Sequence, residues 1–174
     1  MPARPGAADG RRRVVARVVT GGQSGVDRAA TDVAIAHGVP YGGWVPIGGW
    51  AEDLEVPPGL LATYPEFEVT TTTDPADRTA RNVGGADATL VLVLSDAPSP
   101  GTVLTQRCAE ALVVPWAIVD LASPTCEARL GELLASLAPR STLNVAGPRE
   151  SEQPGVYDAA RSFLEAHLAP RFDR

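Results

Sequence analysis

Three glycine-bearing turns and a small set of arginines and carboxylates are the residues of this chain best suited to chemistry. The first turn is Gly21-Gly22-Gln23-Ser24-Gly25. It follows an apolar run, Val14 to Val19, and precedes Ala30, Val33, Ala34 and His37, which keep i, i+3, i+4, i+7 helical spacing. A strand that turns directly into a helix presents free N–H groups at the helix N-terminus, where phosphate or another anion is held. Glycine lets the backbone approach such a ligand closely. A second turn carries Ser99, Gly101 and Thr102, and a third carries Gly147 and Arg149. None of the 15 Lys/Arg positions is a lysine. Schiff-base chemistry and the P-loop lysine are therefore excluded. Guanidinium forks are left to hold phosphate or carboxylate. The candidates are Arg28, Arg78, Arg81 and Arg149; Arg78, Arg81 and Asn82 fall at i, i+3, i+4 and share one helix face. Asp27, Glu52 and Asp53 are the carboxylates placed to act as acid, base or charge partner, beside Arg78. Trp44 has the shape to stack on a base or a pterin ring.

Each of these residues also has a plainer reading. A strand–helix junction needs glycine whether or not it binds anything. A carboxylate in a first helical turn, as at Asp27, is favoured by the helix dipole alone. Glu52-Asp53 would serve as ordinary solvation of a long loop, Trp44 as packing beneath it, and the arginine face as a solvated helix surface.

The elements that must position these groups alternate. Strands are expected at Val14–Thr20, Tyr41–Val45, Phe67–Thr71, Ala88–Leu94, Trp116–Asp120 and Ser141–Ala146. Helices are expected at Gly25–His37, from Asp74-Pro75 to Gly84-Gly85, at Gly101–Val113, from Ser123-Pro124 to Leu137, and at Pro154–Leu168. Asp74-Pro75 reads as an N-cap with proline at the first helical position. Alternation of this kind predicts an α/β, doubly wound and mostly parallel sheet with helices on both faces. All three turns follow strands, so they meet at the carboxyl edge of the sheet, where ligands bind in such folds. Residues 46–58 show no periodicity and form a long loop, a frequent carrier of function.

The chain has 174 residues and a net charge of −6. That size predicts one domain over residues 13–174 behind a disordered tail at 1–12. The acidic balance argues against general nucleic-acid binding, and no apolar run approaches a membrane span. The two cysteines, Cys108 and Cys126, lack metal-ligand spacing; buried reduced thiols and a cytoplasmic location are expected, with no metal site. His37 and His167 read as packing or surface residues.

The segments TGGQSGVDRAATDVAIAHGVPYGGWVP, RTARNVGGADATLVL, SPGTVLT and LNVAGPRESEQPGVYDAARSFL together resemble the molybdenum-carrier family. That family is a circularly permuted relative of YpsA-type proteins within the SLOG/LOG-related, Rossmann-like superfamily. The NVAGPRES turn resembles the opening motif of YpsA-type chains but stands near the C-terminus here. The resemblance covers about Arg17 to His167. It implies a Rossmann-like fold and a small phosphate-bearing partner, a nucleotide or a molybdenum cofactor, with no nucleic acid or membrane. It also implies a homodimer or homotetramer. Its enzymatic members, the LOG phosphoribohydrolases, cleave nucleoside 5′-monophosphates at the N-glycosidic bond. Their pattern places an arginine nine residues before the aspartate of an Ala-Asp pair, as Arg78 precedes Asp87 here. Their catalytic glutamate falls at Thr105, which cannot carry the charge. Binding of a phosphate ligand by the three turns is thus the first expectation, and N-glycoside hydrolysis through Asp27, Glu52 or Asp53 the alternative.

Overall fold

A computed structural model of the chain describes residues 12–95 and 99–174. The expected N-terminal tail, but for Arg12, and the centre of the second turn lie outside those residues. Six parallel strands form one sheet in the order β3-β2-β1-β6-β4-β5. In chain order the elements are β1 (Val15–Val19), α1 (Val26–Ala36), β2 (Tyr41–Val45), β3 (Phe67–Val69), α2 (Pro75–Gly84), β4 (Ala88–Val93), α3 (Pro100–Leu112), β5 (Trp116–Asp120), α4 (Cys126–Ala135), β6 (Ser141–Ala146) and α5 (Val156–Phe163). The α/β architecture is the one expected from the sequence.

The winding explains where a site can form. From β1 the chain moves outward through β2 to β3. It then returns to β4 and moves outward the other way to β5, and β6 fills the gap between β1 and β4. The reversal opens a crevice beyond the carboxyl ends of β1, β6 and β4, the usual ligand position of a doubly wound sheet.

The two faces of the sheet differ in chemistry. Val18, Leu143 and Val145, Ala88, Leu90 and Leu92 share one buried core with Val26, Ala30 and Val33 of α1, Leu130 and Leu134 of α4, and Val156, Ala160 and Phe163 of α5. Truncating Leu90, which is fully buried there, would cost about 2–5 kcal/mol. The alternate residues point to the other face, and several are polar: Thr142, Asn144 and Thr89, with Val19, Asn144 and Thr89 in one lateral row. This face meets α2 and α3, whose inward residues include Asn82, Thr102 and Thr105.

Local signals account for most boundaries. Asp74 caps α2 by accepting from the Ala76 N–H at 2.9 Å, with Pro75 in the first turn. Ser99 caps α3 in the same way through the Thr102 N–H at 3.2 Å. Two boundaries depart most from expectation. α4 begins at Cys126 and not at Ser123, because Asp120 and Ser123 turn the chain first by accepting from the N–H groups of Ala122 and Thr125. The last helix widens after Phe163 into a π turn over Leu164–Leu168, which seats Leu164 and Leu168 in the core. The aperiodic loop is folded too. Ala51 and Leu60 are fully buried, and Leu60 packs with Val45 and Phe67 in a small core of its own. Cys108 and Cys126 are unpaired and half-buried, where full burial was expected. His37 bonds Glu165, and His167 lies 3.5 Å from Glu127. No helix among the described residues is long and apolar enough to cross a membrane.

Candidate functional site

A cavity of about 490 Å³ lies in the crevice at the strand reversal. Its wall takes Gly21, Gln23 and Asp27 from the first turn and α1. Arg78, Thr79 and Asn82 come from α2, Pro100, Gly101 and Thr105 from α3, and Asn144, Gly147 and Arg149 from β6 and the third turn. The N-terminal ends of both α2 and α3 open onto it through Asp74-Pro75-Ala76 and Pro100-Gly101. The structure therefore brings all three turns to one edge.

Arg78 is the centre of this cavity. It donates from Nη1 to the Gly21 carbonyl at 2.9 Å, while its buried Nε has no partner among the described residues. A β-carbon at position 21 would overlap the Arg78 guanidinium and approach an oxygen of Asp27 to 2.9 Å, so only glycine admits both. Burial lowers the proton affinity of Arg78, the nearby charge of Arg149 lowers it further, and Asp27 opposes both. Arg78 remains charged all the same. Asp27 is buried and accepts from the Gln23 N–H at 3.3 Å. Burial pushes its carboxyl up from 3.8 to about 6, against the pull of Arg78, of the Gln23 and Gly21 N–H groups and, least, of Arg28. The remaining carboxylates of the wall are committed: Asp74 to the Ala76 N–H and Glu152 to the Arg149 N–H at 2.8 Å. Two guanidinium groups thus line the space, that of Arg149 standing 5.5 Å over the Trp50 ring, with one buried carboxyl beside Arg78. Gln23 adds an unfilled acceptor. Its Nε2 donates to the Trp50 carbonyl at 3.0 Å, and its buried Oε1 has no partner among the described residues.

Other residues singled out in the sequence stand elsewhere. Ser24, Gly25, Arg28, Glu52 and Asp53 line a neighbouring, wider opening of about 750 Å³ together with Asp32, Tyr64, Ser151 and Tyr157. There most of the groups satisfy one another, and only the buried Nε of Arg28 is without a partner among the described residues. Arg28 donates to both oxygens of Asp53 at 2.9 and 3.1 Å and stacks on Tyr64. Glu52 accepts from Ser24 Oγ and from the N–H and Oγ of Ser151. Burial alone would raise its proton affinity, but those bonds and Arg149 bring it below the ordinary value. Asp32 accepts from the hydroxyls of Tyr64 and Tyr157 at 2.8 and 2.7 Å.

Arg81 and Trp44 turn to a third, smaller hollow, with the guanidinium 4.7 Å above the indole ring and paired with Asp77. Asn82 touches both hollows and pins the backbone of Trp44 through its N–H and carbonyl. Gly22 lies against Leu60 and Val45. Ser99 and Thr102 bond each other at the start of α3, beside the cavity wall.

The α1 N-terminus is less free than its sequence implies. The Val26 N–H is spent on the Pro148 carbonyl, and the carboxyl of Asp27 occupies the turn itself. The sequence reading did not single out Asn144, although it stands in the third turn's motif. It also missed the Asp32–Tyr64–Tyr157 set, which joins positions up to 125 residues apart and leaves no local signal. Thr105 lines the central cavity and donates its hydroxyl to the Gly101 carbonyl at 2.9 Å.

Three comparisons bear on this site. The model of the circularly permutated YpsA SLOG family matches residues 18–168. The crystal structure of the "Putative molybdenum carrier protein" from Syntrophus aciditrophicus SB is 34% identical, with a TM-score of 0.80 over 90% of this chain and 97% of that one. No curated protein matches the chain.

Proposed function

The chain belongs to the circularly permutated YpsA SLOG family, and from that premise we propose that it is a carrier for a small phosphate-bearing ligand of nucleotide or molybdopterin type. The observation that carries this reading is the convergence of Arg78 and Arg149 with the starts of α2 and α3 on one cavity. Helix N-termini and guanidinium groups favour an anion in the same place. The size of the cavity suits a mononucleotide headgroup better than a macromolecule. The similar Syntrophus protein bears the name of a molybdenum carrier, which agrees with binding in place of turnover. The phosphate would lie against Gly21 and Gly101, between the two arginines. Asn82, Asn144 and Gln23 would meet the polar part of the ligand beyond it.

The test is thermal unfolding in the presence of nucleoside monophosphates and pterin phosphates. A ligand present at tens of its Kd stabilises the fold by about 2 kcal/mol. Arg78→Ala should abolish that shift. Absence of any shift across the panel would remove the proposal.

One observation favours a second reading, hydrolysis of a nucleoside 5′-monophosphate. Asp27 is a buried carboxyl with a proton affinity near neutrality in the same cavity as Arg78, the setting of a general acid or base. It would replace the carboxylate that Thr105 lacks. Release of free base from AMP or CMP, lost in Asp27→Asn, would establish this reading.

A further inference from the structure

A cavity built only to trap a fully ionised oxyanion gains from donors alone. The central cavity also holds two acceptors. Asp27 lines it with a buried carboxyl beside the Arg78–Gly21 bond. Gln23 lines it as well, and only 3% of that residue is exposed. Its amide nitrogen is used by the Trp50 carbonyl, so its oxygen, unpartnered among the described residues, is the end left for a ligand. Toward a dianion without protons, an ionised Asp27 is repulsive and Gln23 Oε1 is a buried acceptor without a donor, both costly inside a protein. Toward an oxyanion that carries one proton, Asp27 becomes a partner, and Gln23 Oε1 is left for a donor elsewhere on the ligand.

We propose that Asp27, with Gln23, makes this cavity selective for a phosphate monoester bound together with one proton, and against oxyanions that hold no proton at neutral pH, molybdate and sulfate included. The inference rests on the reading of the cavity as an anion site and specifies the charge state that the site accepts.

The charges around Asp27 allow this. On its own helix Arg28 is paired with Asp53. From α2 come Arg78 and the capping Asp74, and from the third turn come Arg149 and Glu152. The two acidic groups are held by backbone N–H groups, and the arginines keep their charge at any working pH. Burial brings Asp27 to about 6, and the second ionisation of a phosphate monoester also lies near 6. Groups so matched share a proton readily. Once both have lost it, at higher pH, two anions face each other and affinity falls. Molybdate and sulfate are deprotonated throughout this range and bring no proton to share.

Calorimetric titration of the full chain with AMP, inorganic phosphate, sulfate and molybdate decides the matter. Each titration is run at pH 6 and pH 8 in buffers of different ionisation heat, which reveals proton uptake. At pH 8, AMP should bind with net proton uptake and with about tenfold lower affinity than at pH 6. At pH 8, where Asp27 is ionised and inorganic phosphate still carries one proton, inorganic phosphate should bind about tenfold or more tightly than molybdate or sulfate. Asp27→Asn should abolish the uptake and bring the four anions closer together in affinity. Should that variant fail to fold, the wild-type proton balance and anion ranking still decide. Molybdate or sulfate bound as tightly as phosphate would overturn the proposal, and so would AMP bound without uptake and without pH dependence. In both cases the anion site itself would stand. Binding of none of the four would remove the anion site and this inference with it.

Discussion

Two cavities share the first and third turns, and the chain deals its residues between them almost alternately. Gly21, Gln23 and Asp27 face the central cavity, while Ser24, Gly25 and Arg28 face the wider one. In the third turn Gly147, Arg149 and Glu152 go one way, Glu150 and Ser151 the other. The wider opening has more space, yet its polar groups are spent on each other: Arg28 on Asp53, Glu52 on Ser24 and Ser151, and Asp32 on two tyrosines. The central cavity is smaller and leaves Arg78 Nε and Gln23 Oε1 without partners among the described residues, whereas the wider one leaves only Arg28 Nε. A polar group left open inside a protein is costly unless something fills it. Volume therefore does not identify the binding site here; the number and kind of open groups do, since the central cavity leaves an acceptor as well as a donor. The wider opening reads as a brace that fixes the turns, and the central one as the place those turns were fixed for.

The largest expected effect separates the two by pH. The Asp27 carboxyl is raised in the folded state, to about 6 from 3.8. Between those values the native chain holds a proton that the unfolded chain has released. Its contribution to stability therefore falls as pH rises through this window, by on the order of 3 kcal/mol in total. Glu52 is lowered, so its contribution is present above its unfolded value and is lost as pH falls. Denaturant titrations of the ligand-free protein from pH 4 to pH 7.5 should show that Asp27→Asn removes the downward slope. That variant should also be more stable than wild type at pH 7.5. An unchanged slope would mean that Asp27 is not the buried acid described here.

Arg78→Ala should come next, on affinity. Loss of a charge-assisted contact to phosphate would weaken AMP binding by about 100-fold, near 3 kcal/mol. Arg28→Ala should change AMP affinity by less than about threefold, because that guanidinium serves the brace. Calorimetry on both variants breaks the comparison if the two losses are alike.

Glu52→Ala should reverse the pattern. It frees Ser24, Ser151 and the Ser151 N–H together, at a cost of about 2 kcal/mol in unfolding free energy. AMP affinity should change little, since the turns keep their other ties, among them Gly25 packed against the Pro148 carbonyl. A large loss of affinity without a loss of stability would move Glu52 from the brace to the site.

The sequence reveals this division unevenly, for physical reasons. The sheet was legible because β4 is a run of buried Val and Leu, and because Asp74-Pro75 marks a helix start by a local bond. The meeting of the turns at one edge followed from strand–helix alternation. Which side chain of a turn faces which cavity did not. In a turn, direction is set by individual backbone angles, such as φ of +74° at Gly25, and not by a period of 2 or 3.6. Glu52 looked like a loop carboxylate because its partner Ser151 is 99 residues away. Arg81 shared the expected helix face with Arg78, but the ring of Trp44 draws it to the other side of Asn82.

The smallest effect tests the far wall of the brace. Tyr157 donates its hydroxyl to Asp32 Oδ2 at 2.7 Å and accepts from Arg161 at 3.0 Å. Tyr157→Phe keeps the ring and removes one hydrogen bond to a carboxylate that still has Tyr64 on its other oxygen. The cost should be about 1 kcal/mol, a fall of about 2–4 °C in Tm for a chain of this size. Removing the remaining donor as well, in the double variant with Tyr64→Phe, should cost more than the two single changes combined. The second change leaves the carboxylate of Asp32 without either donor, whereas each single change leaves one in place. Additivity of the two would show that Asp32 is already served by solvent, and would reduce the brace to Glu52 and Arg28.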